Sequence, residues 1–208
     1  MADHITIAET AIGRFGMMIC WDQSHPNLWE QYAGQVDAII AMSCPGDLQL
    51  PNFIFPDGRR TGFFDLVGRP PESPATEPES DGYHKHVAWM GVPLVESSAT
   101  GKICTRLPMI KSSFPGSPLE ARAHQAAEML LECGFGAATQ IVNQHGEVIV
   151  RGSSVGNAVL VAEVNLPETL RSPRSPQPSM NITAEMYQLS DEVIPAMMVP
   201  LYNAGERR

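Results

Sequence analysis

Residues Arg14–Gln23 read RFGMMICWDQ, an apolar run that ends at a cysteine and passes directly into a polar turn. The run Phe15–Cys20 has the length of a β-strand, and His4–Glu9 predicts a second strand joined to it by a glycine-containing turn. These two strands are expected to form a hairpin. Free cysteine is among the most buried residue types and usually behaves as a small hydrophobe, so Cys20 taken alone favours a core position over a nucleophile.

The residues after Cys20 predict a strand–helix–strand unit. Pro26 suits the first turn of a helix, and Gly34 is a plausible C-terminal stop for it. The nearly continuous apolar run Val36–Ser43 is typical of a strand buried on both faces. A crossover through a short helix predicts that this strand lies parallel to the Cys20 strand.

This arrangement favours a chemical role for Cys20. A residue at a strand-to-helix turn is exposed above the sheet, where backbone N–H groups of the turn can hold a developing oxyanion. The start of a helix nearby also favours the thiolate form of a cysteine. Cys20 is therefore predicted to be a nucleophile.

The segment Gly13–Pro45 resembles the nucleophile region of the nitrilase superfamily, the carbon–nitrogen hydrolases. The family pattern combines a glycine-flanked apolar strand, Cys-Trp/Tyr-Asp, a proline-started helix and Gly-Ala-Asp before a second strand. The matching residues are Gly16, Cys20, Trp21, Asp22, Pro26, Gly34 and Asp37. Three later segments resemble family strands in the same order: GVPLVESSATG, FGAATQIVNQHGEVIV and AVLVAEVNLPE.

The resemblance implies an α/β fold, a partial nitrilase-like α-β-β-α sandwich in which two mixed sheets lie between helix layers. It implies a carbon–nitrogen hydrolase domain over residues 1–168, without the N-terminal part of the family's domain. Residues 169–208 are expected to be a C-terminal extension and a candidate oligomer contact. A partial domain should also expose strand edges and apolar surface, which favours association.

The same resemblance implies the roles of the site residues. Cys20 would be the nucleophile, Trp21 would supply a backbone N–H to the oxyanion, and Asp22 would support the turn. Residues expected to line the pocket or support the turn are His25, Cys44, Ser97 and Ser98. No metal and no organic cofactor is implied, and the substrate class is a small amide, carbamoyl-amide or nitrile.

The chain departs from the family pattern where the other catalytic residues should be. The family's glutamate base and its lysine both precede the cysteine, but only 19 residues precede Cys20 here and none is a lysine. Glu9 occupies neither position. The sequence therefore predicts either a hydrolase completed by a further segment, in a homo-oligomer or with a complementing chain, or a noncatalytic nitrilase-like interaction module. An unrelated α/β protein with a core cysteine is the third alternative.

Composition excludes several other classes of protein. The formal net charge is -9, and the three lysines and scattered arginines offer no basic patch for nucleic acid. No apolar run approaches the ~20 residues that cross a membrane. The N-terminus shows no signal-peptide pattern, and the four cysteines show no metal-like spacing, which predicts reduced thiols in the cytoplasm.

Further elements are predicted outside this unit. Helices are expected at Glu79–Met90 and Leu119–Glu132, a hairpin around residues 144–147, and a strand at Ala158–Leu166. The proline-rich excursion 45–80 is expected to be most mobile at Arg69–Ser80.

Five more polar residues are candidates for a functional role: two histidines, one lysine and two glutamates. His84 and His86 do not share a helix face, which favours surface histidines over metal ligands. Nothing in the sequence places Lys102 near Cys20. Glu9 and Glu96 are the carboxylates to consider if the chain contains its own base.

Overall fold

The computed structural model describes residues 4–44, 52–62, 80–106, 124–125, 128–135, 139–153, 156–170, 173, 176–180, 182, 184–193, 195–196 and 199. Residues 69–79 of the stretch expected to be mobile lie outside this description. Residues 119–123 and 126–127 of the helix predicted at Leu119–Glu132 also lie outside it. No helix within the described residues is long and apolar enough to cross a membrane.

The elements follow one another along the described chain, with a 3₁₀ turn at Cys20–Ser24 between the second strand and the first helix. They are β1 (Thr6–Thr10), β2 (Gly13–Ile19), α1 (Pro26–Tyr32), β3 (Ala38–Ser43), β4 (Asn52–Ile54), β5 (Arg60–Gly62), α2 (Ser80–Met90), β6 (Leu94–Ser98), β7 (Lys102–Arg106), β8 (Leu130–Gly134), β9 (Gln140–Val142), β10 (Val148–Arg151) and α3 (Ala184–Tyr187). A π-helical turn, Gln188–Val193, follows α3.

The main sheet has six strands in the order β1-β2-β3-β6-β9-β10. Its three central strands β2, β3 and β6 are parallel, and the flanking strands pair antiparallel. The predicted β1–β2 hairpin and the parallel crossover through α1 are therefore confirmed, as is the hairpin formed by β9 and β10. Because the central strands are parallel, their carboxyl ends meet at one edge of the sheet.

Helices α1 and α2 cover one face of this sheet. The core beneath them consists of buried residues from strands, helices and the segments that join them: Met18, Leu28, Trp29, Tyr32, Val36, Ile39, Ala41, Tyr83, Val87, Met90, Val92, Leu94 and Val142. The opposite face of the same strands carries exposed apolar side chains, including Met17 and Val95. Met17 pairs with Ile40 of β3, which in turn pairs with Val95 of β6, so the three side chains form a row across the sheet.

A second, four-stranded antiparallel sheet has the order β5-β4-β8-β7. Strands β4 and β5 lie in the connection between β3 and α2, and β7 and β8 lie in the connection between β6 and β9. Both connections leave the carboxyl ends of parallel strands. The small sheet is thus made entirely from two excursions out of the main sheet, which supports the predicted two-sheet α/β class.

Two predicted elements are wrong in part or whole. Leu130–Glu132, the end of the predicted second helix, belongs to strand β8, because pairing with β4 and β7 outweighs helix propensity there. Residues 158–166, predicted to form a strand, are not part of any strand in the structure. Its alternating apolar residues have no ladder partner among the described strands, and Val159 and Val161 are exposed.

The two histidines expected at the surface are buried. His86 is fully buried, and His84 is also below the surface. The stripe Tyr83, His86, Val87 and Met90 has the i, i+3, i+4, i+7 spacing of a core-facing helix face, so His86 lies within the apolar stripe of α2. Its ring packs against Trp29, with centroids 5.6 Å apart.

Gly16 is required where α1 packs on β2. A Cβ at this position would lie 2.7 Å from ring carbon Cδ1 of Tyr32 and 2.7 Å from Cδ1 of Ile39. The Tyr32 ring cannot easily retreat, because its hydroxyl donates to the Met17 carbonyl at 2.7 Å and accepts from the Thr6 N–H at 3.0 Å.

Gly16→Ala should therefore lower the free energy of unfolding by about 1–3 kcal/mol through overpacking. Urea denaturation measures this. Gly152→Ala is the matched control, because its nearest neighbours lie at an ordinary 3.5 Å. Equal stability of the two variants would contradict this account of the helix–strand contact.

Asp37 joins the start of β3 to β2. Its carboxylate accepts hydrogen bonds from the Arg14 backbone N–H at 2.7 Å and from Arg14 Nε and Nη2 at 3.3 and 3.2 Å. The hydrogen bond from the Arg14 side chain, helped by its backbone N–H and its charge, lowers the pKa of Asp37 despite partial burial. Ionised Asp37 therefore stabilises the folded state above its unfolded-state pKa of ~3.9.

Asp37→Asn should cost about 1.5–3 kcal/mol of stability at neutral pH, the usual range for hydrogen bonds to charged groups. Because the folded-state pKa is depressed, the difference from wild type should persist down to about pH 4 and shrink as the pH falls further. Unfolding curves of both proteins across pH measure it. Asp57→Asn, which removes an exposed pair with Arg59, should change little, and a pH-independent difference for Asp37→Asn would refute the assignment.

Candidate active site

Cys20 directly follows β2 and begins the 3₁₀ turn Cys20–Ser24. Its φ is +49°, the only positive φ of a non-glycine residue in the described part of the chain. Left-handed backbone at such a residue costs free energy and concentrates at functional sites. The thiol is exposed at the carboxyl edge of the sheet, and α1 begins at Pro26 as the sequence predicts.

The turn is held by its own polar groups. The Asp22 carboxylate accepts the Ile19 backbone N–H at 2.9 Å, and the Asp22 carbonyl accepts the His25 N–H at 3.1 Å. The Trp29 indole N–H donates to the Gln23 carbonyl at 2.8 Å from inside the core. Asp22 therefore makes two hydrogen bonds within the turn, one through its carboxylate and one through its backbone carbonyl.

C-terminal residues pack against the other side of the turn. We refer to the described residues 176–180, 182 and 184–193 as the strap. Asp191 in the strap accepts a hydrogen bond from the Trp21 indole at 2.8 Å, and its carboxylate lies 3.5 Å from His25 Nε2. His25, expected to line the pocket, is buried in this contact.

The remaining predicted pocket residues lie at the same edge of the sheet. In the strand register, Ile19 lies level with Met42 and Ser97, so Ser97 is level with the residue that precedes the thiol. Ser98 ends β6, where its backbone N–H donates to the Thr139 hydroxyl at 2.9 Å. Cys44 directly follows β3 and is exposed rather than part of the core.

A buried carboxylate lies beneath this edge. Glu96 is 3% exposed and accepts hydrogen bonds from four side chains that come from four different elements. The donors are Gln23 Nε2 at 3.3 Å, Ser43 Oγ at 2.9 Å, Tyr83 Oη at 2.7 Å and Gln140 Nε2 at 3.0 Å. This set of donors solvates the charge that burial removes from water.

The neighbours of Glu96 extend the network. Burial, followed by the Glu96 charge, raises the pKa of Tyr83, so its hydroxyl remains a donor at all physiological pH values. Gln140 Oε1 in turn accepts from Arg151 Nε at 3.1 Å and Nη2 at 2.9 Å. The guanidinium thereby polarises the amide that binds the carboxylate.

Neither carboxylate named as an internal base is well placed for that role. Glu9 pairs with Arg14, six residues before Cys20 and so roughly 20 Å away along β2. Glu96 lies level with Met18, two strands away, and its oxygens are occupied by the four donors. Lys102 begins β7 and is exposed, with no described contact to the turn.

Sequence reasoning did not find Gln23, Tyr83, Gln140, Tyr187 or Asp191 as residues of this region. Tyr83 and Gln140 converge on Glu96 only through the sheet order, and Asp191 is far from Trp21 along the chain, so no local spacing marks them. Among the described residues, His, Cys, Asp and Glu form no group able to hold a metal ion.

Neither a family model nor a curated protein matches this chain. Solved structures do. A carbon–nitrogen hydrolase from Helicobacter pylori G27 is 16% identical, with a TM-score of 0.40 over 70% of this chain and 38% of that one. Nit3 of Saccharomyces cerevisiae, a member of branch 10 of the nitrilase superfamily, is 14% identical, with a TM-score of 0.41 over 74% and 38%.

Glutamine-dependent NAD+ synthetase from Acinetobacter baumannii is 13% identical, with a TM-score of 0.43 over 76% of this chain and 20% of that one. The chain thus spans between about a fifth and two fifths of the length of these proteins.

Glu96→Gln should lower the free energy of unfolding by about 1.5–3 kcal/mol, because the new amide N–H₂ faces donors and the charge-assisted hydrogen bonds are lost. Urea denaturation measures the loss. Glu147→Gln is the control, since Glu147 is an exposed partner of Asn143 and should shift stability by less than about 0.5 kcal/mol. Indistinguishable variants would mean that the network does not stabilise the fold.

Proposed function

We propose that this chain contributes the cysteine nucleophile of a hydrolase acting on non-peptide carbon–nitrogen bonds of a small amide, carbamoyl-amide or nitrile. The observation that carries the proposal is the left-handed backbone of Cys20 on an exposed strand-to-helix turn. A cysteine that served only to fill space would not need this costly conformation. The free state of all four cysteines supports a reducing, cytoplasmic setting.

The proposed reaction on an amide runs through a thioester. A base takes the Cys20 thiol proton, the sulfur attacks the carbonyl carbon, and the backbone N–H of Trp21 donates to the oxyanion. Collapse of the intermediate breaks the carbon–nitrogen bond as the base returns the proton to the leaving amine. Water then attacks the thioester, which yields the acid and restores the thiol.

The base and the second oxyanion donor are proposed to come from a further polypeptide segment. The face of β2, β3 and β6 away from the helices supports this, because Ile19 is 62% and Met42 48% exposed immediately beside the Cys20 turn. Monomeric proteins rarely leave such apolar patches uncovered. We propose that the complementing segment, carrying a glutamate and a lysine, covers this face and brings both residues to Cys20.

The isolated chain should hydrolyse amides, carbamoyl-amides and nitriles no faster than its Cys20→Ala variant. None of the described residues is placed as a base or as a second oxyanion donor. A missing base typically lowers the rate about 10²–10⁴-fold, and a missing oxyanion donor lowers it ~10²–10³-fold. Ammonia or amine release, followed by a coupled assay, measures the rate.

Fusion to the N-terminal half of a related carbon–nitrogen hydrolase should produce turnover that Cys20→Ala abolishes and Cys133→Ala leaves unchanged. Cys133 is the control because it lies in the small sheet. Cys20-dependent turnover by the isolated chain would disprove the need for a complementing segment. Failure of the fusion to turn over any substrate, with the fusion folded, would refute the hydrolase proposal.

The second candidate is a noncatalytic interaction module. The exposed apolar face that supports a complementing segment is equally a surface for a partner that brings no catalytic residue. A fusion or mixture that assembles, as measured by analytical ultracentrifugation, yet shows no Cys20-dependent turnover would favour this candidate. A second copy of the chain on the same face would appear there as a homodimer.

A further inference from the structure

We propose that Asp191 is a positioning residue, and that through it the strap holds the Cys20 turn in its left-handed conformation. The inference rests on the proposed function only in giving that turn a catalytic purpose. The claim that the side-chain carboxylate of Asp191 restrains the backbone at Cys20 rests on contacts within this chain. The segment that carries Asp191 is otherwise predicted only as an extension beyond the hydrolase domain.

Asp191 binds the turn at two points through one oxygen atom. Its Oδ1 accepts the Trp21 indole N–H at 2.8 Å and lies 3.5 Å from His25 Nε2. Trp21 is the residue directly after the thiol, and His25 ends the turn just before α1. One oxygen atom therefore contacts residues near both ends of the turn.

An aromatic cluster surrounds this acceptor. The ring of Tyr187 lies 6.0 Å from the ring of Trp21 and 5.4 Å from that of His25, and the rings of Trp21 and His25 are 5.9 Å apart and perpendicular. Tyr187 also donates its hydroxyl to the Ser24 carbonyl. Burial and the Asp191 charge raise the pKa of Tyr187, which keeps this hydroxyl protonated as a donor.

The strap is anchored beyond the turn as well. Gln177 Nε2 donates to the Pro26 carbonyl at 2.6 Å, and Met180 packs against the main core. The strap therefore has its own attachment to α1 and to the core, and it does not depend on Asp191 to remain docked. Loss of the Asp191 contacts should loosen the turn while leaving the strap and the sheet in place.

Strained backbone persists only where its surroundings hold it. Within the turn, Asp22 supplies the local restraint through the Ile19 N–H. That hydrogen bond restrains the start of the turn, but it does not contact the Trp21 indole or the His25 imidazole. The Asp191 oxygen accepts the Trp21 indole N–H and lies 3.5 Å from His25 Nε2, while the Tyr187 ring packs against the same two side chains.

Hydrogen exchange of two amides tests the proposal on the full chain. The Ile19 N–H bound to Asp22 and the His25 N–H bound to the Asp22 carbonyl report whether the turn stays closed. Asp191→Ala should speed their exchange at least about tenfold. The Ile39 N–H, bound to the Pro93 carbonyl within the sheet, should change less than about twofold.

Conservative replacement separates positioning from loss of charge. Asp191→Asn keeps an oxygen that can accept the indole N–H, so it should restore most of the slow exchange and keep the Trp21 indole NMR resonance near its wild-type position. Glu192→Ala, which removes the neighbouring exposed carboxylate, is the matched control and should leave both readouts unchanged.

Trp21→Phe removes the same hydrogen bond from its other partner, and it replaces Asp191→Ala in the exchange experiment if Asp191→Ala does not fold.

In a fused, active enzyme, Asp191→Ala should lower kcat with little change in KM, because a misplaced nucleophile affects the reaction more than substrate binding. Faster exchange confined to the two turn amides supports the proposal even if the fusion is inactive, so this result is independent of the hydrolase proposal. Uniformly faster exchange including Ile39, or no change at either turn amide, would overturn it.

Discussion

The buried carboxylate of Glu96 is the interaction on which the arrangement of the site depends. Its four donors come from the Cys20 turn, the end of β3, helix α2 and strand β9. A charge this deep is tolerated only when it is fully hydrogen-bonded, so each of the four elements has to be in place at once. The requirement explains why the carboxyl edge of the sheet is ordered around a polar group while the middle of the sheet is filled by apolar packing.

Two different restraints act on the Cys20 turn. From below, Gln23 connects it to Glu96, and the Trp29 indole holds the Gln23 carbonyl. From outside, the strap contacts Trp21 and His25. The restraints from below come from the sheet and from α1, through Glu96 and Trp29. The restraints from outside come from the strap, which also binds the start of α1 through Gln177. The turn is thus fixed on one side by the core and on the other by a separate part of the chain.

Local pattern predicted the parts of the fold that are local. The β1–β2 hairpin, the crossover through α1 and the β9–β10 hairpin are each specified by residues close together in sequence, such as Pro26 at the start of a helix. The same patterns misassigned Leu130–Glu132, because its strand state depends on β4 and β7, which are distant in sequence. His86 shows a different failure, since its polar character concealed its place in the apolar stripe of α2. The Cys20 turn was predictable from its motif, but Asp191 and the donors to Glu96 are brought there only by tertiary structure.

The origin of the small sheet has a consequence for how the chain folds. Its central pairing joins Asn52 to Glu132, about eighty residues apart, whereas β1 pairs with β2 across a two-residue turn. Closing so long a loop carries a large entropic cost that the pairing repays only after the main sheet has brought both excursions to the same edge. We therefore expect the β4–β8 pairing to form after β3 and β6 are in register in the main sheet. Slow formation of the β4–β8 pairing would leave these two strand edges open to intermolecular pairing during synthesis, in addition to the outer edges of β1, β10, β5 and β7, which have no partner among the described strands.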